Sequence, residues 1–285
     1  MPTRASVLAL LAAAALALTG CQSGSTTSAP AGSAPAATTT SVATTTNPIP
    51  TSTPPSTTTP SPATGTADGH GLVVVLDPGH NGGNASHPAE INKLVPAGRG
   101  QTKACNTTGT STNAGYTEHA FNWDVAMRVQ AILTAHGFHV VLTRPNDTGV
   151  GPCVNERATI GNQAQAAAVV SIHADGSDTA GAHGFHVEYS NPPLNSEQGP
   201  PSIQLAGQLR DAMESGGFGL SNYLGHDGLF GRDDLGGLNL SDRPTALIEC
   251  GNMRDSGDAA ELSSVDGRQR IADAIAAGII AYLAH

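Results

Sequence analysis

The sequence predicts a single α/β domain of three layers, in which a mostly parallel, twisted sheet is flanked by helices. From residue 71 onward, apolar runs of strand length alternate with longer segments of helical periodicity, which is the pattern of parallel strands joined by crossover helices. The strand runs are also continuous, as in "LVVVL" at 72–76. Strands that are buried on both faces of a parallel sheet have this composition.

The first half of the domain contributes three predicted strands and two helices. A strand at 71–76 is followed by a long Gly- and Asn-rich stretch at 81–115, for which irregular structure is expected. A helix over 117–136 begins after the N-cap Thr117 and stops at Gly137. Its apolar stripe comprises Ala120, Trp123, Met127, Ala131 and either Ile132 or Leu133. The next elements are a strand at 138–144, a helix at 155–167 and a strand at 168–173.

The second half continues the same alternation. The predicted elements are a strand nearer a sheet edge at 184–190, a helix at 202–215, a Gly-rich loop at 216–240, a buried strand at 244–250 and a C-terminal helix within 258–284. Because helices connect most of these strands, the sheet is expected to be mainly parallel.

The N-terminal segment predicts export. Residues 1–20 combine Arg4, a short apolar stretch and small residues, which is typical of a secretory signal peptide. The sequence "LTGC" at 18–21 resembles a bacterial lipobox, in which Cys21 becomes the lipidated first residue of the mature chain. Ordinary signal cleavage, with Cys21 as an incidental thiol, is the alternative.

Residues 21–68 are dominated by Ser, Thr, Ala and Pro, and such a segment cannot bury enough apolar surface to offset the entropy of ordering. A disordered tether is therefore expected between a lipid anchor at the outer face of the cytoplasmic membrane and a folded domain at 69–285. The net charge of −10 argues against a nucleic-acid partner. No later segment is apolar enough to span a bilayer, so membrane contact is expected through the anchor alone.

Two of the four cysteines are expected to pair. Cys105 and Cys153 lie in polar loop sequence, and an exported domain reaches an oxidising compartment, so a disulfide between them is the natural prediction. Closing a loop of about 49 residues is worth about 4 kcal/mol in the loop-entropy relation. Cys250 follows an apolar run and is expected as a buried thiol, although its pairing with either of the other two stays open.

Three predicted strands end in a residue that can bind a metal or move a proton. His80 follows "LVVVLDPG", His173 follows "AVVSI" and Glu249 follows "PTALI". The carboxyl ends of parallel strands meet at one rim, where ligands of open α/β sheets gather, and Glu118 starts the next helix near that rim. Two histidines and one carboxylate form a catalytic zinc set, and a second carboxylate beside the bound water can act as a general base.

Each of these residues also has a plain structural interpretation. The chain contains 11 histidines, and a histidine at a strand end is commonly a hydrogen-bonding residue. Glu118 lies in a first helical turn, where a favourable interaction with the helix dipole would by itself explain a carboxylate. Glu249 is harder to explain in this way, because an unpaired carboxylate beside a core is costly. His183 and His186 flank the strand at 184–190 and could join the site only if that strand reached the centre of the sheet.

Four sequence blocks, in order, carry a resemblance to a known family. They are "VVLDPGHNG", a helix opened by Glu118, "NERATIGNQAQAAAVVSIHADG" and "RPTALIECGNMRDSGDAAEL". Over most of residues 70–285 the chain resembles the zinc-dependent N-acetylmuramoyl-L-alanine amidases of the type 3 amidase family. The resemblance implies that His80, Glu118 and His173 are the ligands of one Zn²⁺ ion. It implies that Glu249 is the catalytic base.

The same resemblance implies that 69–285 is a catalytic domain that cleaves the amide between N-acetylmuramic acid and the L-alanine of the stem peptide, with peptidoglycan or a muropeptide as substrate. It identifies no activating protein partner. Arg157 matches an arginine that the family usually shows before the helix leading to the "SIH" strand. We expect it to orient substrate or the catalytic carboxylate, with an ion pair to Glu156 or another neighbour as the alternative. Asp175 and the "GNMRD" at 251–255 depart from the family pattern at the rim. Another envelope zinc peptidase or deacetylase, or a non-catalytic peptidoglycan-binding lipoprotein, are the competing functions.

Overall fold

The structure, a computed structural model, describes Gly69 and residues 71–285. The predicted signal peptide, the lipobox with Cys21 and the tether at 21–68 lie outside the described residues and stay predictions. Within the described part, no helix combines the length and the apolarity that a bilayer crossing requires.

Eight strands and seven helices make up the described chain. The strands are β1 (Val73–Pro78), β2 (Leu94–Gly98), β3 (Gln101–Ala104), β4 (His139–Leu142), β5 (Ala168–Asp175), β6 (His186–Ser190), β7 (Leu229–Arg232) and β8 (Thr245–Asn252). The helices are α1 (Pro88–Ile91), α2 (Glu118–Ala135), α3 (Val154–Gln163), α4 (Pro200–Ser215), α5 (Gly236–Asn239), α6 (Ser256–Ser263) and α7 (Val265–Leu283).

The central sheet has six strands in the order β4-β1-β5-β8-β6-β7, and β2 and β3 form a separate hairpin. Strands β4, β1, β5 and β8 run parallel, β6 pairs antiparallel with β8, and β7 runs parallel to β6. The predicted α/β fold with a mostly parallel sheet is therefore confirmed. The antiparallel step occurs at β6, which lies between β8 and the edge strand β7, so the prediction of a strand nearer a sheet edge is confirmed.

The strands present two different faces. The first, which we call the helix face, is apolar and packs against α2 and α4, and α7 packs against these two helices. Its residues include Val74, Leu76, Val170, Ile172, Val187, Ala246 and Ile248. The second, which we call the cavity face, borders a cavity of about 420 Å³ that is also walled by α3, α5 and the β2–β3 hairpin. Its residues include Asp77, Ser171, His173, Glu188, Leu247 and Glu249.

Two segments predicted as irregular contain regular structure. The stretch at 81–115 includes α1 and the β2–β3 hairpin, and the Gly-rich segment at 216–240 includes β7 and α5. These elements are four or five residues long, too short to show a hydrophobic period. Tertiary pairing and packing, rather than local preference, hold them in place.

The predicted helix at 117–136 is confirmed as α2, but its predicted stripe is wrong. The buried residues are Glu118, Phe121, Asn122, Val125, Ala126, Val129 and Leu133, whereas Met127 is 39% exposed. The prediction placed Trp123 on the buried stripe. In the structure its ring instead packs under the guanidinium of Arg144, 5.0 Å from the ring centroid, which is a cation–π contact rather than core packing.

The structure contains the expected disulfide between Cys105 and Cys153. Cys105 directly follows β3 and Cys153 is the N-cap residue of α3, so the bond fastens the hairpin to the helix that walls the cavity. Cys250 is buried and forms no disulfide within the described chain. The helical segment predicted within 258–284 is divided at Ser264, whose hydroxyl accepts a hydrogen bond from the Gly267 N–H and caps α7.

Candidate metal centre

Three of the predicted site residues converge at one point of the rim. One ligand atom from each of His80, Glu118 and His173 lies within 4.8 Å of the other two. Nε2 of His80 is 3.1 Å and Nδ1 of His173 is 2.9 Å from the same Glu118 oxygen, Oε1. The Glu118 side chain is buried and the two imidazoles are partly buried. The three side chains that the sequence predicted at one rim therefore do lie close together.

The turn after β1 aims His80 at His173. Gly79 packs so closely against the second imidazole that an added Cβ would lie 2.1 Å from Cε1 of His173, and only glycine fits there. His80 itself has a φ of 58°, in the left-handed region that residues other than glycine adopt uncommonly, with Asn, Asp and His the most frequent among them. Strain of this kind commonly accumulates where a side chain must be held in one functional orientation.

Two buried arginines hold this turn by its carbonyl groups. Arg157 donates to the carbonyl oxygens of Pro78 and His80, at 2.8 and 2.9 Å, and to Oδ1 of Asp77 at 2.8 Å. Arg144 donates to the Pro78 carbonyl at 2.8 Å. Burial lowers the pKa of Arg144 to about 10, which leaves it charged at neutral pH. The sequence prediction missed Arg144, although an arginine that ends the predicted strand at 138–144, at the same rim, was a signal for it.

Arg157 forms its ion pair with Asp77 rather than with Glu156, and it also lines the cavity. Burial by itself raises the pKa of Asp77, but the Arg157 guanidinium and the hydroxyls of Thr143 and Ser171 outweigh that effect and bring it to about 2. Asp77 is therefore ionised at neutral pH, and its ion pair holds Arg157 beside the turn. A direct role of Arg157 toward substrate stays a prediction.

The ligand candidates are themselves oriented by hydrogen bonds. Nδ1 of His80 donates to the Thr107 carbonyl at 3.1 Å, which leaves Nε2 as the ring nitrogen that faces Glu118. The second oxygen of Glu118 accepts from the backbone N–H of Thr110 at 2.9 Å, close to Gly109, where an added Cβ would lie 2.7 Å from that oxygen. Burial alone raises the pKa of Glu118, but His80 and His173 hold it well below its usual range.

This donor set fits a divalent zinc ion. Zinc in catalytic sites commonly takes three protein ligands, of imidazole and carboxylate type, and leaves a fourth position open. Outer hydrogen bonds of the kind made by His80 to a backbone carbonyl are the usual second element of such sites. The residues that would hold the ion are His80, Glu118 and His173.

Glu249 lies beside the three candidate ligands. β8 pairs with β5 in the register His173↔Glu249, so the two side chains are neighbours on the cavity face. Oε2 of Glu249 is buried and has no hydrogen-bond partner among the described residues. Burial, followed by the negative charges of Glu118 and Glu188, raises the pKa of Glu249 well above its usual range. A buried carboxylate with a raised pKa in a cleft is a candidate acid–base group.

The two further histidines have different positions. His183 lies on the surface, where Nδ1 bonds to the Gly181 carbonyl at 2.8 Å. His186 is buried and stands opposite Glu249 in the β6–β8 pairing. The condition under which His186 could join the site is not met, because β6 is the last strand but one of the sheet rather than a central strand, and the converging ligand atoms within the described chain are those of His80, Glu118 and His173.

Comparison with known proteins places this arrangement in a family. The sequence profile of the N-acetylmuramoyl-L-alanine amidase family Amidase_3 matches residues 74–281. The chain is 49% identical over 214 residues to N-acetylmuramoyl-L-alanine amidase Rv3717 of Mycobacterium tuberculosis, a match that covers 75% of this chain and 87% of that protein.

Solved structures show the same similarity. The crystal structure of the N-acetylmuramyl-L-alanine amidase Ami1 from Mycobacterium smegmatis matches with a TM-score of 0.73 at 48% identity and covers 76% of this chain and 99% of that chain. N-acetylmuramoyl-L-alanine amidase AmiC2 of Nostoc punctiforme matches with a TM-score of 0.58 at 28% identity over 76% of this chain and 100% of that one. The chain therefore belongs to the type 3 family of N-acetylmuramoyl-L-alanine amidases.

Proposed function

We propose that this protein is a peptidoglycan hydrolase that cleaves the amide between N-acetylmuramic acid and the L-alanine of the stem peptide, with one Zn²⁺ ion as cofactor. The observation that carries the proposal is the convergence of His80, Glu118 and His173 within 4.8 Å, with Glu249 next to His173 in the strand register. Family membership supplies the reaction class, and this convergence supplies the residues for it.

His80, Glu118 and His173 would hold the ion. When bound, zinc polarises the scissile carbonyl and lowers the pKa of a water molecule in the site. Glu249 accepts a proton from the attacking water and delivers it to the nitrogen of L-alanine as the C–N bond breaks. The hydroxyl of the water stays on the carbonyl carbon of the lactyl group. The products are the free carboxylic acid of N-acetylmuramic acid and a stem peptide with a free amino terminus.

The surroundings of the site are consistent with this division of roles. Arg157 lines the cavity and holds both Asp77 and the His80 carbonyl, so we propose that it orients the substrate site through the turn that it braces. Glu249 is the one carboxylate at the rim that has an unpaired buried oxygen within the described chain. That oxygen is the atom available to take a proton.

The proposed location is the bacterial cell envelope. The predicted signal peptide at 1–20, lipidation at Cys21 and the tether at 21–68 would export the chain and anchor it at the outer face of the cytoplasmic membrane, with the catalytic domain at 69–285. The disulfide between Cys105 and Cys153 supports export, because such bonds persist in oxidising compartments. Peptidoglycan lies in the same compartment.

The test is a digestion of muramoyl dipeptide with the purified protein, with added zinc and after treatment with a chelator, followed by mass spectrometry. We expect zinc-dependent release of the intact dipeptide and of N-acetylmuramic acid. A deacetylase would release acetate instead, a carboxypeptidase would remove the C-terminal residue, and a binding protein would leave the substrate whole. Any of these three outcomes would contradict the proposed reaction.

A further inference from the structure

A second concave region, which we call the polar groove, adjoins the metal centre. It has a volume of about 320 Å³, and it shares Gly109 and Thr110 with the cavity. Of the described residues, none that lines it is aromatic, and none is an aliphatic residue larger than alanine. Its polar side chains include those of Asn81, Thr110, Ser111, Thr117, His119 and Arg254.

The polar groove and the cavity meet at the candidate ligands. Asn81 directly follows His80 in the chain and His119 directly follows Glu118, and both of these successors line the groove. The N–H of Thr110, which borders both regions, donates to Oε2 of Glu118 at 2.9 Å. A substrate bond held at the metal centre therefore has both the cavity and the polar groove beside it.

The two regions suit different kinds of chain. Thr245 and Glu249 both line the cavity and lie four residues apart on β8, so the cavity extends about 13 Å along the sheet. Because the hairpin, α3 and α5 wall it, the cavity suits a short chain that ends. The polar groove includes the exposed residues Ala85 and Thr108, so a polymer can continue beyond it. A stem peptide ends after a few residues, whereas a glycan strand continues on both sides of each sugar.

The imidazole of His119 is held in the groove by a charged network. Its Nδ1 bonds to Oδ2 of Asp147 at 2.7 Å, and Arg144 donates to Oδ1 of the same carboxylate at 2.9 Å. Arg144 also donates to the His119 carbonyl at 3.0 Å, and its side chain is fully buried. Since Arg144 braces the turn before His80 as well, His119 is fixed relative to the metal centre. Nε2 is the ring nitrogen that remains for a ligand.

Arg254 supplies hydrogen-bond donors to the same groove. It belongs to the "GNMRD" segment that departs from the family pattern. Nη1 lies 3.3 Å from Oδ1 of Asn113. Nε is buried without a hydrogen-bond partner in the described chain, with Oδ1 of Asp178 3.7 Å away. A guanidinium only donates, whereas a hydroxyl donates and accepts and can pair with Nε2 of His119 in either protonation state. The groove thus suits a ligand with hydroxyl and carbonyl groups.

We propose that the polar groove binds the N-acetylmuramic acid ring of the glycan strand, with His119 on a sugar hydroxyl and Arg254 on the N-acetyl carbonyl, while the stem peptide enters the cavity. One carbon and one ether oxygen separate the attacked carbonyl from the sugar ring, so the ring must lie close to the metal centre. The inference rests on the proposed function, because it divides that substrate at the bond that is cleaved. The groove contributes binding rather than chemistry.

The test uses two ligands that differ only in the sugar. KM and kcat are measured on muramoyl dipeptide. An O-methyl-lactyl dipeptide, in which a methyl group replaces the sugar, is measured as a competitive inhibitor, so its own turnover does not matter. We expect His119→Ala to raise KM about 3- to 10-fold, the loss of one neutral hydrogen bond, with kcat within about twofold. The inhibition constant of the sugarless ligand should stay within about twofold, with one zinc ion retained.

Two further variants and a control sharpen the result. His119→Gln keeps an N–H near the position of Nε2, so its KM should rise less than that of His119→Ala. Arg254→Met should raise KM and leave the inhibition constant of the sugarless ligand unchanged. The control is His139→Ala, because His139 is exposed at the start of β4, at the end of the sheet opposite the rim. It should alter neither constant.

Several outcomes would overturn the inference. They are a folded His119→Ala protein with unchanged KM, an equal loss of affinity for the sugarless ligand, or a loss of zinc in step with activity. If His119→Ala does not fold, Arg254→Met decides by the same comparison. An unaltered, zinc-loaded protein that leaves muramoyl dipeptide uncut overturns the proposed function. A protein that cleaves it, but whose variants lose affinity for both ligands alike, overturns the inference alone.

Discussion

The two faces of the central sheet are built from alternate residues of the same strands, yet they follow different physical rules. Ile172 and Ile248 belong to the helix face and are fully buried in the apolar core. Their immediate successors, His173 and Glu249, belong to the cavity face and stand side by side at the candidate metal centre. One step along the chain separates a residue that stabilises the fold from one that serves the proposed reaction.

The difference shows how the two tasks are divided. Burial of apolar side chains is non-directional, so the helix face tolerates exchanges that conserve volume. The cavity face depends on particular donors and acceptors at particular positions, and it keeps buried polar atoms of Glu249 and His186 unpaired within the described chain. We infer that stability comes mainly from the helix face, which offsets the cost of the polar cavity face.

The largest contrast is expected between His173 and Ile172. His173→Ala removes one of three zinc donors, so bound zinc should be lost and activity should fall to background while the protein stays folded. Ile172→Ala should lower the free energy of unfolding by about 2–5 kcal/mol and leave zinc content and kcat unchanged. Metal analysis and denaturant unfolding of both variants check this. A His173→Ala protein that binds one zinc ion with unaltered affinity would refute the ligand assignment.

The next contrast is between Glu249 and Ile248. Glu249→Ala should retain zinc and the fold but lower kcat about 10²- to 10⁴-fold, the usual contribution of a general base. Ile248→Ala is the control, because it should weaken the fold and leave turnover intact below its melting temperature. Kinetics with the zinc-loaded variants give the comparison. A near-normal rate in Glu249→Ala would mean that another group takes the proton.

The third prediction concerns the disulfide, which connects elements on the cavity side of the sheet. Cys105 and Cys153 are 48 residues apart in sequence, and opening such a loop is expected to lower stability by about 4 kcal/mol. The bond fastens the hairpin and α3, which are not part of the helix-face core, so activity at low temperature should change less than stability. Melting curves with and without reductant measure this. The control is the double variant Cys105→Ser/Cys153→Ser, which has no disulfide to reduce, so its melting temperature should not respond to reductant. Equal melting temperatures would show that the bond contributes nothing.

The smallest predicted effect concerns acid stability. The folded-state pKa of Asp77 is about 2, against 3.8 for a free aspartate side chain, so its contribution to stability is present above about pH 4 and lost as the pH falls toward 2. The side chain is mostly buried, and the shift corresponds to roughly 2 kcal/mol. Unfolding free energies of the unaltered protein and Asp77→Asn should therefore converge as the pH falls from 4 to 2. A constant difference over that window would contradict the ion pair with Arg157.

Much of this molecule could be predicted from local sequence. Continuous apolar runs identified β1, β5 and β8, and the residues that end them identified His80, His173 and Glu249, because parallel strands end at one rim. Glu118 was recognisable from its place at the start of the next helix. Short elements were not predictable, since the hairpin and β7 have too few residues for a period and depend on pairing with distant segments.

The sequence by itself determined the α/β class and the four residues that meet at the rim. It also predicts the export signals and, as the natural expectation, the pairing of Cys105 with Cys153. Each of these depends on composition or on local order along the chain. Only the tertiary structure decided that β7 lies outside β6, and that His186 stands opposite Glu249 in the β6–β8 pairing. Strand order and register arise from contacts between distant segments, and no local pattern in the chain encodes them.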